Sequence, residues 1–295
     1  MDIALQQVVN AISLGGIYAL LALGLAVVFS IVGLINFAHG EVMTLAGYGV
    51  LFSIGLAMPL PAIVLFALVV AVVSSLAMER IAFRPLRGAD VTTLLITSFA
   101  VSEILKVLLQ NGISARPQAI SLPPWLSSTI ELGPVVIGMT PLLSIVVVAV
   151  SLAALVLFLT RTVPGIAMRA AAEDFSMVRA VGLSANRVVA TAFVVAGLLA
   201  GIAGVLWVAQ RGSVDPLMGF VPVLKAFIAV VIGGLGSLGG AVLGGFLLGA
   251  IEIALQATLP DALAPFREAF VLSAVIALLL VRPDGLLPAP VARRS

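Results

Sequence analysis

Five ionisable side chains fall inside stretches that otherwise offer only apolar surface: Glu41, Glu103, Lys106, Lys225 and Glu252. A charge near the centre of a membrane-spanning helix costs about 2.5 to 3.5 kcal/mol, so each needs a partner, a water path or a route to the interface. Glu103 and Lys106 stand three apart, close enough to pair on one helix. Lys225 and Glu252 lie near the ends of their apolar runs and are expected to snorkel toward the headgroups. Glu41 closely follows Asn36 and His39 in a stretch that also carries Gly33 and Gly40. An amide, an imidazole and a carboxylate so close together admit two readings. They form a pore-lining or gating turn, or they staple a broken helix with hydrogen bonds.

Little else in the chain can do chemistry. There is no cysteine and His39 is the only histidine, which excludes disulfides, iron–sulfur clusters, thiolate zinc and multi-histidine metal sites. No metal or cofactor is expected. Lys106 and Lys225 are the only lysines, and neither follows a glycine-rich phosphate loop. Any ATP consumed must therefore be hydrolysed by another subunit, and the chain is not itself an enzyme.

The elements that position these residues are membrane spans. Charged residues make up 9% of the 295 and hydrophobic residues 62%, with a mean hydropathy of +1.29. A soluble domain carries about 25% charged residues. Apolar blocks at 60–78, 142–160, 188–209 and 270–281 approach the roughly 20 residues that a spanning helix needs. The expected fold is all-α: a single polytopic helix bundle over 1–295 with eight to nine spans. Their boundaries fall at about 6–30, 41–57, 60–79, 91–110, 141–160, 188–210, 222–234, 239–257 and 268–282. The first reads as a retained span, because no basic segment precedes it.

Arginines give the orientation. Arg80, Arg84 and Arg87, then Arg161, Arg169, Arg179 and Arg187, then Arg282, Arg293 and Arg294 hold two thirds of the 15 basic residues. Counting through the spans puts all three groups on one side. That side is expected to be cytoplasmic, with the C-terminus inside and the N-terminus outside. The pI near 9.5 then reflects a basic membrane face and not nucleic-acid binding. The loop 111–140, with four prolines and Trp125, is expected outside.

Two places break the hydropathy pattern. One is the turn 33–41. The other is Gly233-Gly234-Leu235-Gly236-Ser237-Leu238-Gly239-Gly240, followed by Gly244, Gly245 and Gly249. Non-helical backbone at membrane depth is tolerated only where protein buries it or it lines a wet cavity. Interrupted segments in two halves of a chain point to a transport site. Asn36, His39, Glu41, Gly233, Gly234, Gly236 and Ser237 are therefore candidate path residues, and two divergent repeats are expected at 6–110 and 141–257. The four-residue spacing of Gly236, Gly240 and Gly244 also suits close helix packing. Between the spans, 166–181 reads as a helix that Gly182 ends, interrupted in charge by Glu173 and Asp174. It is too long for a mere connector and suits docking on a soluble partner, or lying on the membrane surface.

The chain resembles the LivH-type permease subunit of branched-chain amino acid ABC importers. The likeness is carried by 33–47 (GLINFAHGEVMTLAG), 169–182 (RAAAEDFSMVRAVG), 225–245 (KAFIAVVIGGLGSLGGAVLGG) and the tail RPDGL at 282–286. It implies a bacterial inner-membrane permease, a path for hydrophobic amino acids, a second paralogous permease subunit, two cytoplasmic ATPase subunits and a periplasmic binding protein. It also implies that 166–182 is the ATPase-coupling helix, including Ala171, Glu173, Asp174, Arg179 and Gly182. Ser102-Glu103 departs from the resemblance, which would place uncharged residues there. Related permeases for urea and short-chain amides share the asparagine turn and the glycine motif, so they remain an alternative. A secondary transporter is another, although it would be expected to show paired midplane carboxylates and leaves 166–182 without a purpose.

Overall fold

In lipid every backbone polar group must be satisfied within the protein, so apolar runs of this length fold as helices. The computed structural model describes residues 2–132, 135–175, 182 and 184–287. Its helices are α1 (Asp2–Val32), α2 (His39–Gly55), α3 (Leu60–Met78), α4 (Val91–Gly112), α5 (Met139–Arg161), α6 (Val163–Glu173), α7 (Ala185–Arg211), α8 (Phe220–Gly233), α9 (Leu238–Thr258) and α10 (Arg267–Val281). A π turn and a 3-10 turn extend α3 to Leu86, and a 3-10 segment (Asp261–Phe266) leads into α10.

Seven of these segments are long and apolar enough to cross a membrane. Two of the expected spans, 41–57 and 222–234, are shorter. α2 has 17 residues and α8 has 14, or roughly 25 and 21 Å at 1.5 Å per residue. That is less than the roughly 30 Å hydrocarbon core. Non-helical segments at 33–38 and 215–219 lead into them. Gly33, at φ +72°, turns the chain at the end of α1, a conformation that glycine adopts without strain.

The core is built around α1 and α7. Residues 15–28 of α1 are buried without exception, which suits a helix that is apolar all round. Small residues allow close approach. At Gly245 and Gly249 of α9 there is no room for a Cβ against Ala19 and Gly15 of α1, and at Gly197 and Gly201 of α7 there is none against Ser75 and Ala71 of α3. α1 packs along α9 and α3 along α7, while α2 lies on α3 and α7 and α8 lies on α9 and α1.

The loop beyond α4 carries more order than the expected interfacial loop. β1 (Gln118–Ala119) pairs antiparallel with β4 (Ser213–Val214), just ahead of α8, and β2 (Thr129–Leu132) pairs with β3 (Val135–Gly138). The segments at 79–90, 161–175, 184–187, 233–240 and 282–287 gather at the opposite, arginine-rich end. Arg87 bridges Glu79 and Asn186 there, and the backbone of Leu286 and Leu287 bonds to the end of α8.

Candidate translocation site

The turn after α1 returns into the protein before α2 starts. Backbone bonds from His39 N–H to the Asn36 carbonyl and from Glu41 N–H to the Ala38 carbonyl open α2. The His39 imidazole lies against Gly24 of α1, where any Cβ would collide with it, and Ala196, close to the middle of α7, adjoins the same point. The turn therefore sits well inside the bundle. Asn36, His39 and Glu41 are 3%, 2% and 0% exposed.

Helix α4 docks on this turn through serines. Ser98 Oγ accepts the Phe37 N–H at 3.2 Å, and Ser102 Oγ donates to Glu41 Oε1 at 3.1 Å. Lys106 follows four residues later on the same buried face. Its Nζ donates to Glu103 Oε1 at 2.6 Å and lies 4.1 Å from the centre of the Phe220 ring at the start of α8, within cation–π range. Glu103 is the open member of this pair, with its side chain 65% exposed.

The two short helices meet at their N-termini. Neither Gly40 nor Gly219 has room for a Cβ, because each backbone lies against the other's carbonyl. Thr44 Oγ1 joins them, donating to the Gly40 carbonyl and accepting from the Gly219 N–H, both at 3.1 Å. Aromatic rings close the gap between α4 and α8. Phe37 stacks on Phe99 at 4.4 Å and tilts against Phe227 at 5.3 Å. Asn36 Oδ1, His39 Nε2 and Glu41 Oε2 have no hydrogen-bond partner among the described residues. Such atoms are costly to bury unless a water or another group completes them.

The second glycine motif lies elsewhere. Gly233 and Gly240 pack on each other, Gly285 adjoins Gly234, and Ser237 caps α9 by accepting from Gly240 N–H at 3.1 Å. Gly236 and Leu238 border a cavity that also touches Arg169, Ala172 and Glu173 of α6. The structure thus places this motif at the arginine-rich end, beside α6. The backbone that faces Gly40 is Gly219.

Two expectations change here. Lys225 and Glu252 do not snorkel. Their side chains are 8% and 9% exposed and pair at 2.8 Å, with Glu268 3.0 Å from the same ammonium and the Tyr18 hydroxyl donating to Glu252 at 2.9 Å. A cavity of about 420 Å³ adjoins them, lined also by Arg211, Asp215 and Arg267. The helix expected over 166–181 starts earlier, at Val163 behind the Thr162 cap, and breaks at Asp174, which is extended at φ −149° and ψ 104°. Aspartate is a poor interior helix residue because its side chain competes for backbone bonds. Buried Gly165, Ala167, Met168 and Ala171 fix α6 to the bundle, leaving Arg169 and Glu173 exposed. Arg179 and most of the chain between Phe175 and Ser184 lie outside the described residues, while Gly182 has φ +79°.

Sequence reasoning missed Ser98, Thr44, Gly219 and the phenylalanines, and named Ser102 only beside Glu103 as a departure from the resemblance. Ser98, Ser102 and Lys106 recur every fourth residue, so one polar face on an apolar helix was there to be read. No local signal joins Phe37 to Phe227.

Residues 7–281 match the family described as the permease component of branched-chain amino acid transport systems. The chain is 36% identical over 302 residues to the high-affinity branched-chain amino acid transport permease BraD of Pseudomonas aeruginosa, covering 97% of this chain and 96% of that one. It is 34% identical to LivH of Escherichia coli K12, with the same coverage. Among solved structures, PsaBC from Streptococcus pneumoniae in complex with Fab matches with a TM-score of 0.51 at 14% identity, covering 93% of this chain and 91% of that one, a likeness of fold alone. With its full-length match, its apolar helices and its interrupted spans, the chain belongs to the branched-chain amino acid transport permease family.

Proposed function

We propose that this chain is one of two permease subunits of an ABC importer, and that hydrophobic, branched-chain amino acids pass along its face between α4 and α8. Separate ATPase subunits power the importer and a periplasmic binding protein feeds it. The observation that carries this reading is the meeting of two short helices at Gly40 and Gly219, beside an exposed carboxylate in the middle of α4. A face with such a charge is unfit for lipid. Asn36, His39 and Glu41 support this face from behind, and Phe37 is the member of the turn that borders it. Gly233, Gly234, Gly236 and Ser237 form its arginine-rich end.

That end is cytoplasmic in this reading, and α6 with Ala171, Glu173, Asp174, Arg179 and Gly182 couples to an ATPase. The pairing of α1 with α9 and of α3 with α7 is what exchange of α1–α4 with α7–α10 would give. The repeats are then 2–112 and 185–281, in place of 6–110 and 141–257. Purifying the assembled complex with its binding protein and measuring ATP hydrolysis tests the substrate. Leucine, isoleucine or valine should stimulate it. Stimulation by urea or acetamide alone would replace the amino-acid reading with the amide one.

A further inference from the structure

Glu103 is the anomaly of the helix bundle. It lies near the middle of the 22-residue α4, yet its side chain is 65% exposed while its partner Lys106 is 6% exposed. Lys106 has three N–H donors but makes only the bond to Glu103 among the described residues, its other side resting on the Phe220 ring. The Glu103 carboxylate makes no described hydrogen bond or ion pair outside α4, which Ser98 and Ser102 bond to the turn before α2. The Phe220 ring lies over Lys106, and Phe99, four residues before Glu103 on α4, stacks on Phe37, which tilts against Phe227.

We propose that Glu103 and Lys106, with Phe99 and Phe220 beside them, form a transit site for a zwitterionic amino acid with an apolar side chain. The proposal rests on the importer reading and adds the residues that touch the substrate. Glu103 receives the α-ammonium and Lys106 the α-carboxylate, so the ion pair opens onto the substrate and closes behind it without an unpaired charge. The aliphatic side chain lies on the phenylalanine rings. Such a site is weak by construction, since the substrate replaces an existing salt bridge, and weak binding suits transit.

The test uses the full complex, with binding protein, in proteoliposomes, each variant first shown to co-purify with its partners at the parental yield. Glu103→Gln should lower leucine uptake about 10-fold or more, the size of one lost charged hydrogen bond, and Glu103→Asp should restore much of it. In the cysteine-free chain, Glu103→Cys should react with a charged methanethiosulfonate reagent, and turnover with leucine should slow the reaction. A cysteine at Ala100 is the comparison for the neighbouring exposed face. Normal uptake by Glu103→Gln, or an unreactive Cys at 103 in a complex whose parent transports leucine, would overturn the site and leave the importer reading intact. An unreactive cysteine there would mean that the partner subunit covers the face. Failure of the parental complex to transport any amino acid would instead overturn the importer reading, and the site with it.

Discussion

Gly40 and Gly219 show how far a single atom constrains this molecule. Each lies against the other's backbone, and a methyl group on either would meet a carbonyl oxygen or carbon that cannot swing away. Overpacking of this kind costs roughly 1–3 kcal/mol. Gly40→Val should therefore lower the thermal stability of the purified permease, whereas Gly55→Ala, where a Cβ meets nothing within 4 Å, should not. His39 fills the hollow over Gly24 and has an imidazole nitrogen without a described partner. If its role is hydrogen bonding, His39→Gln should keep far more leucine uptake than His39→Leu. Equal loss in both would point to the imidazole itself. The sequence made Asn36, His39 and Glu41 visible as a polar knot, because polar groups stand out in an apolar run. It misplaced Lys225 and Glu252, whose partners Glu268 and Tyr18 lie 43 and 234 positions away and leave no local trace.

The helices were legible from hydropathy, down to most of their ends. The starts of α2 and α8, expected at 41 and 222, fall at His39 and Phe220; what hydropathy does not register is that those two starts meet inside the bundle. Thr44 links those starts. Thr44→Val keeps the shape and removes both hydrogen bonds, leaving the Gly219 N–H buried and unpaired, which should cost about 1–3 kcal/mol. Chemical denaturation of the detergent-solubilised permease would read it, and an unchanged midpoint would exclude the link. At the basic end, Asp90 caps α4, and the Thr93 hydroxyl and backbone N–H hold its carboxyl below the usual carboxylate range. A depressed folded value means that the cap's contribution is complete above the unfolded range and fades only as pH falls through the folded one. The first turn of α4 should therefore hold its amide-exchange protection down to pH values below about 4, and Asp90→Ala should lose it at neutral pH. For α6, Glu173→Arg should uncouple ATP hydrolysis from uptake while substrate binding to the binding protein is unchanged. Normal uptake would favour a surface helix.

At the scale of the molecule, the basic residues divide the two ends. Arg80, Arg84, Arg87, Arg161, Arg169, Arg187 and Arg282 lie with the segments gathered at one end, while Arg116, Arg211 and Arg267 lie toward the other. If the first end is cytoplasmic, a single cysteine at exposed Ser128 should react with an impermeant thiol reagent added to intact cells, and one at exposed Ser184 should not. The reverse would invert the topology. The family itself was legible because its motifs sit at the two interruptions. The face between α4 and α8 was not, because it is assembled from residues far apart in the chain. The central claim is that this chain passes branched-chain amino acids only when partners hydrolyse ATP. Uptake of labelled leucine into proteoliposomes holding the complete complex tests it most directly. Accumulation that requires both ATP and the binding protein, and that disappears when this subunit is omitted, is the result expected. Accumulation without ATP, driven by a proton or sodium gradient, would contradict it.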